Sequence, residues 1–163
     1  MSEIEEYGKV ASSVLKDILD ILEIEAEIEI EENMNVVDGD GSEESSLVLN
    51  ITGDDLGILI GRKGQTLSSL QYIVRLIASQ KCGDTVPTVL DVNGYKQRRF
   101  VSLQSLARHV ADQVIVNKRS IALEPMPAYE RRIIHITLAD NHRVTTQSTG
   151  FGEARKVVIA PKQ

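Results

Sequence analysis

Tryptophan is absent, phenylalanine occurs twice and tyrosine four times, so aromatics make up 4% of the 163 residues. A surface that grips many bases through stacked rings is therefore not expected. The single cysteine, Cys82, leaves no intrachain disulfide to form and points to a reducing compartment. No apolar run approaches the roughly 18 residues of a membrane span, and the first residues are acidic rather than basic and then apolar. The expectation is a soluble cytoplasmic protein with no direct membrane insertion. Paired-cysteine motifs, His-Glu-x-x-His and a nucleophile elbow are missing as well, so neither a metal nor a cofactor is expected.

What is present is enough to fold. Hydrophobic content of 42% supplies a core, and the length suits one domain or two small ones. The net charge of −6 hides a strong asymmetry. Residues 1–55 hold 17 Asp and Glu against two Lys, a balance of −15, whereas residues 56–163 hold 16 Lys and Arg against seven acids, a balance of +9. A basic part beside an acidic one is the electrostatic footprint of polyanion binding.

Hydrophobic period assigns the elements. In residues 5–24, Val10, Val14, Leu15, Ile18, Leu19 and Leu22 mark an amphipathic helix. EAEIEIEE alternates acid and Ile as a half-exposed strand does, DGDGSEESS forms a turn or short loop, and SLVLNITG returns as the second strand of a hairpin. GDDLGILIG forms a short helix opened by Gly53, Asp54 and Asp55. Leu67, Leu70, Val74 and Ile77 then mark a helix that stops by Cys82-Gly83. PTVLDVNG is a third strand closed by Asn93-Gly94. A long helix from about Tyr95 to Asn117 turns Phe100, Leu103, Ala107, Val110 and Val114 inward and carries Lys96, Arg98 and Arg99 on its early outer face. A further helix starts at Pro127 and ends near Asn141. RVTTQSTG and EARKVVIAP are closing strands joined by Gly150-Phe151-Gly152. The order is α-β-β-α-α-β followed by α-α-β-β, an α+β protein of two units, 1–94 and 95–163.

GILIGRKGQTL, residues 57–67, places two glycines around two cations at the mouth of a helix. A P-loop requires Gly, four residues and then Gly-Lys-Ser/Thr, whose hydroxyl holds Mg²⁺. Here Gly64 follows Lys63 where the hydroxyl belongs, so that motif is not met. A dinucleotide loop requires G-x-G-x-x-G, and residue 59 is Leu. Gly150-Phe151-Gly152 meets Arg155 where a third glycine belongs and runs into a strand, which makes it a hairpin turn.

Gly61-Arg62-Lys63-Gly64, between two short helices of an α-β-β-α-α-β unit, resembles the type II KH domain. The G-x-x-G loop of that family clamps the backbone of about four single-stranded nucleotides. The physics agrees with the resemblance. Gly61 and Gly64 let a sugar-phosphate backbone approach, the helix N–H groups near Gln65 and Thr66 favour anions, and Arg62 and Lys63 add positive charge. Ile58, Leu59 and Ile60 are candidates for an apolar groove under the bases. Replacing Gly61 and Gly64 by Asp is then expected to abolish most binding and leave the fold intact.

ERRIIH places Arg131 and His135 four positions apart, on one helix face. Burial of Ile133, Ile134 and Leu138 leaves that pair pointing outward. The segment, its preceding long helix and the closing strands resemble the R-3-H domain, a single-stranded nucleic-acid module named for an Arg and a His separated by three residues. The resemblance implies that Arg131 pairs with a phosphate and that His135 bonds phosphate or sugar or stacks on a base. Arg132 adds charge or is an ordinary surface residue. Arg98 and Arg99 join the candidate nucleic-acid contacts.

A type II KH unit followed by an R-3-H unit resembles the bacterial Jag, or SpoIIIJ-associated, family through IGRKGQTLSSLQYIV, NGYKQRRF and ERRIIHITL. Many members begin with a further N-terminal domain and a charged linker that this sequence does not show, so functions that rest on that domain are not expected of it. Membership implies a regulator of RNA metabolism linked to cell elongation, division or sporulation. The implied partners are single-stranded RNA or single-stranded DNA, and a small single-KH protein or a second copy of the chain. Two alternatives stand beside it. An enzyme would draw on His109, His135 and His142, for which no catalytic motif exists. A protein-interaction scaffold would use the acidic front half, with IEAEIEI as an exposed edge strand and Glu27, Glu29 and Glu31 opposing self-pairing.

Overall fold

Ser2 caps the first helix, α1 (Glu3–Ile21), through a reciprocal box: its hydroxyl accepts from the Glu5 N–H while its own N–H donates to the Glu5 carboxylate. Glu3, Glu5 and Glu6 in the first turn suit the positive end of the helix dipole. Tyr7, Ala11, Val14, Leu15 and Leu19 recur at helical spacing and are buried. Leu22, placed on that stripe by period, lies beyond the last turn and is 54% exposed.

The computed structural model describes residues 2–37 and 43–163. Strand β1 (Glu27–Val37) pairs antiparallel with β2 (Glu43–Thr52), Glu27 opposite Thr52 and Ile30 opposite Leu49. The strict alternation leaves Glu27, Glu29 and Glu31 exposed and packs Ile28 against the core. Residues 38–42 of the expected DGDGSEESS loop lie outside the described residues; Glu43–Ser46 belong to β2 and not to a loop.

Strand β3 (Thr88–Val92) joins β2 in parallel, Leu49 opposite Leu90 and Ile51 opposite Val92, giving the order β1-β2-β3. A parallel pair needs a crossover. Two helices supply it: α2 (Gly57–Ile60) and α3 (Gln65–Cys82). The predicted opening of α2 at Gly53–Asp55 is a bend, and the helix starts only at Gly57. Leu67, Leu70, Val74 and Ala78 of α3 share one core with α1 and the sheet. Gly83 ends α3 in the left-handed conformation, its N–H donating to the Ser79 carbonyl. Asn93 and Gly94, both at positive φ, turn the chain out of β3. The Asn93 side chain also exchanges hydrogen bonds with the Gly53 backbone at 3.2 and 3.0 Å, which fixes the approach to α2.

Helix α4 (Tyr95–Asn117) follows directly, and the chain divides into two compact units, Met1–Lys96 and Gln97–Gln163. In the second unit α4 buries Leu103, Ala107, Val110, Ala111 and Val114; Phe100, expected inward, is 38% exposed. Then come β4 (Ile121–Ala122), α5 (Ala128–Leu138), β5 (Val144–Thr149) and β6 (Lys156–Pro161). They form an antiparallel sheet in the order β4-β6-β5. The two-residue β4 is additional to the expected order. A separate core gathers Leu123, Met126, Ile134, Leu138, Val157 and Ile159 with the inner face of α4.

Candidate nucleic-acid interface

Gly61 ends α2 with its N–H on the Gly57 carbonyl at 3.0 Å and takes φ +71°. Arg62–Gly64 make one 3-10 turn, with Lys63 at φ 53° and Gly64 at φ +78°. Lys63 is thus a side-chain-bearing residue in the left-handed region, an uncommon state that marks a constrained turn.

Both glycines are required by the chain itself. A Cβ on Gly61 would lie 2.1 Å from Thr66 Oγ1, and one on Gly64 would lie 2.9 Å from Tyr95 Cε1. The expectation that Asp at both positions leaves the fold intact is therefore corrected: either side chain enters occupied space from a strained backbone. The cations, not the glycines, are the residues to change. Arg62 is exposed and Lys63 half-buried.

At the mouth of α3, Gly64 occupies the N-cap position and no side chain caps the helix. Gln65 and Thr66 are exposed there, but the Gln65 N–H already donates to the Arg62 carbonyl and holds the turn closed. The apolar groove is narrower than expected. Ile58 is 72% exposed, whereas Leu59 is 3% exposed within the core and Ile60 packs against that core. A one-turn helix cannot turn three successive side chains to one side. On the acidic flank, Glu23, Glu25, Glu27, Asp54 and Asp55 line an open groove that repels a polyanion.

In the second unit, Arg131 is half-buried, Arg132 exposed and His135 half-buried. His135 does not point outward with Arg131. Its Nδ1 lies 2.6 Å from Thr146 Oγ1 and its Nε2 2.9 Å from Ser148 Oγ. Those hydroxyls stand two residues apart on β5, hence on one face of the strand. A neutral imidazole offers one donor and one acceptor, and rotating hydroxyls satisfy both. Burial, and then the positive charge of Arg131, hold the ring below its ordinary value of 6.5. The four-residue spacing does put Arg131 and His135 on one side of α5, but at His135 that side meets β5. The imidazole latches helix to strand, and the pair of hydroxyls in TTQS was the sequence signal for it.

Arg99 also has a partner within the fold. Its Nε donates to Glu130 Oε1 at 2.8 Å and its Nη2 to Oε2 at 2.9 Å, with Glu130 fully buried. This forked ion pair ties α4 to α5 and occupies the guanidinium. Glu130, missed by sequence reasoning, is the acid that immediately precedes Arg131-Arg132. Arg98 remains exposed, and Lys96 Nζ donates to Gln71 Oε1 at 3.1 Å. His109 and His142 are exposed. Among the described residues no group of three or more His, Cys, Asp and Glu is arranged to hold a metal ion, and no helix is long and apolar enough to cross a membrane.

The parallel β2–β3 pairing across a Gly-x-x-Gly turn defines a type II KH unit, and α5 with its Arg-x3-His lies in a second, smaller α+β unit. The model of the KhpA/KhpB KH domain matches residues 12–89, and that of the R-3-H domain matches residues 101–161. The chain is similar to the RNA-binding protein KhpB of Clostridium symbiosum, 39% identical over 153 residues, covering 94% of this chain and 65% of that protein. It is also similar to the RNA-binding proteins KhpB of Bacillus subtilis (42% identical; 70% of this chain, 56% of that one) and Lactiplantibacillus plantarum (40% identical; 69% and 35%). The chain thus belongs to the KhpB, or Jag, family. It spans about two thirds or less of the length of these curated relatives.

Proposed function

We propose that this chain is a non-catalytic protein that binds single-stranded RNA through two tethered modules, KH over 1–94 and R-3-H over 95–163. The carrying observation is the turn at 61–64, where a strained Lys63 and an exposed Arg62 stand before an uncapped, 18-residue helix. Phosphates of an unpaired strand meet Arg62, Lys63 and the positive helix end, near Gln65 and Thr66, while a base rests on Ile58. Gly61 and Gly64 fix the turn that presents these groups. Arg131, with Arg132 and Arg98 adding charge, receives phosphates in the second module. Tethering raises the joint affinity through effective concentration. The name RNA-binding protein, carried by the relatives, supports RNA over single-stranded DNA, and a regulatory role linked to cell elongation, division or sporulation is the one the family implies.

Arg62→Asp with Lys63→Asp tests the loop. Both side chains are at the surface or half-buried, so the circular-dichroism spectrum should stay as in the wild type while fluorescence polarisation with a short single-stranded oligoribonucleotide loses most binding. Unchanged affinity rejects the loop as the contact. A protein partner, a small single-KH protein or a second copy, is also implied by the family; exposed Tyr72, Ile73 and Leu76 on α3 offer it an apolar surface. Light scattering at rising concentration decides whether a second copy takes it.

A further inference from the structure

The most exposed large apolar side chain among the described residues is Phe151, at 91%, in a chain with two Phe and no Trp. A lone exposed apolar residue is ordinary; the setting of this one is not. Gly150 (φ +90°) and Gly152 (φ +55°) turn the chain on either side of it. The loop is braced from within: the Ala154 N–H donates to the Phe151 carbonyl at 3.1 Å, the Arg155 N–H to the Gly152 carbonyl at 3.2 Å, and Arg155 Nη1 to the Gly150 carbonyl at 2.7 Å. Three hydrogen bonds thus hold a ring out into water.

Cations outnumber acids around the loop. The Met126 N–H donates to the Arg155 carbonyl at 3.2 Å, and Pro127 opens α5, so the loop lies beside the end of α5 that carries Arg131 and Arg132. Arg155 and Lys156 continue from the loop itself, against Glu153 within it and the exposed Glu124 two residues before Met126. A protein contact would centre on several packed apolar groups, but the other loop residues are Gly150, Gly152, Glu153 and Ala154. We propose that Phe151 is a stacking platform for one unpaired base, with the neighbouring cations drawing the flanking phosphates. It rests on the single-stranded RNA function proposed above. Every base has a π-face, so the platform accepts any of the four.

The absence of Trp makes the test direct, because Phe151→Trp installs the sole indole among these 163 residues. Titration with a short mixed-sequence oligoribonucleotide should quench its emission, with affinity equal to wild type. Phe151→Ala should weaken binding roughly tenfold, the loss of one stacked base, with an unchanged salt slope because the ring carries no charge. With an abasic version of the same strand, Phe151→Ala and wild type should bind equally. Wild-type affinity in Phe151→Ala together with unchanged Phe151→Trp emission overturns the proposal and leaves the ring to a protein contact. Failure of the wild type to bind the oligoribonucleotide is a different result: it removes the RNA function itself, and the platform with it.

Discussion

In residues 1–96 the groups proposed to meet RNA stand on a turn whose shape is set by other atoms: Thr66 under Gly61, Tyr95 against Gly64, the Gln65 N–H on the Arg62 carbonyl. On the proposed reading, main-chain and packing contacts hold the turn, while the Arg62 and Lys63 side chains and the helix end are left to the strand. In residues 97–163 the same residue types are used inward. Arg99 is held by Glu130 and His135 by Thr146 and Ser148, while Arg131 is half-buried and Arg132 and the Phe151 loop are exposed. A cation or a histidine on a helix is therefore a binding group only where no acid or hydroxyl of the next element reaches it first. Side-chain type does not separate the two cases; the partner does.

The contrast breaks most visibly at the buried ion pair. Glu130→Ala leaves the Arg99 charge without its partner and should destabilise residues 97–163 by about 3 kcal/mol, the lower part of the range for such pairs because Arg99 retains some access to water. Urea denaturation measures it. Arg99→Met combined with Glu130→Met should restore much of the loss, since no charge is then stranded.

Next in size is Gly61→Ala. A methyl group in the left-handed region and against Thr66 should lower the stability of residues 1–96 by about 2 kcal/mol, and Thr66→Ala on the same chain should recover part of it. An unaltered melting curve for Gly61→Ala would mean that the glycine serves the ligand alone. Arg131→Ala should act on binding and hardly on stability, lowering the slope of log affinity against log salt by about 0.7 for one lost phosphate contact.

The smallest effect is in pH. The folded-state pKa of His135 lies below its unfolded value, so the native state binds fewer protons between the two. Its contribution is whole above the unfolded pKa and is lost as pH falls through that value toward the folded one. Between about pH 8 and about pH 5.5, wild type should lose more thermal stability than His135→Gln. Equal losses would mean that the latch is not proton-sensitive.

Much of this fold was legible in the sequence because period changes sharply along it, from helical in α1 to alternating in β1 and back to helical in α3. The end of α3 and the start of α4 were legible from Gly83 and Asn93-Gly94, residues that tolerate positive φ. Two residues of β4 carry no period and could not be read. Leu22 and Phe100 fit a helical stripe by spacing, but a stripe does not say where the neighbouring core stops. The turn at 61–64 was legible as a turn, while the reason for its glycines was not, because Thr66 and Tyr95 touch them only in the folded chain. The roles of Arg99 and His135 were hidden likewise: sequence spacing gives the face of a helix and not what covers that face.

The most direct measurement is the salt dependence of oligoribonucleotide affinity in wild type and in Arg62→Ala with Lys63→Ala. If the turn clamps the strand, the log-log slope should fall by about 1.4 for two lost phosphate contacts with the melting temperature unchanged. Identical slopes and affinities in the two proteins would contradict it.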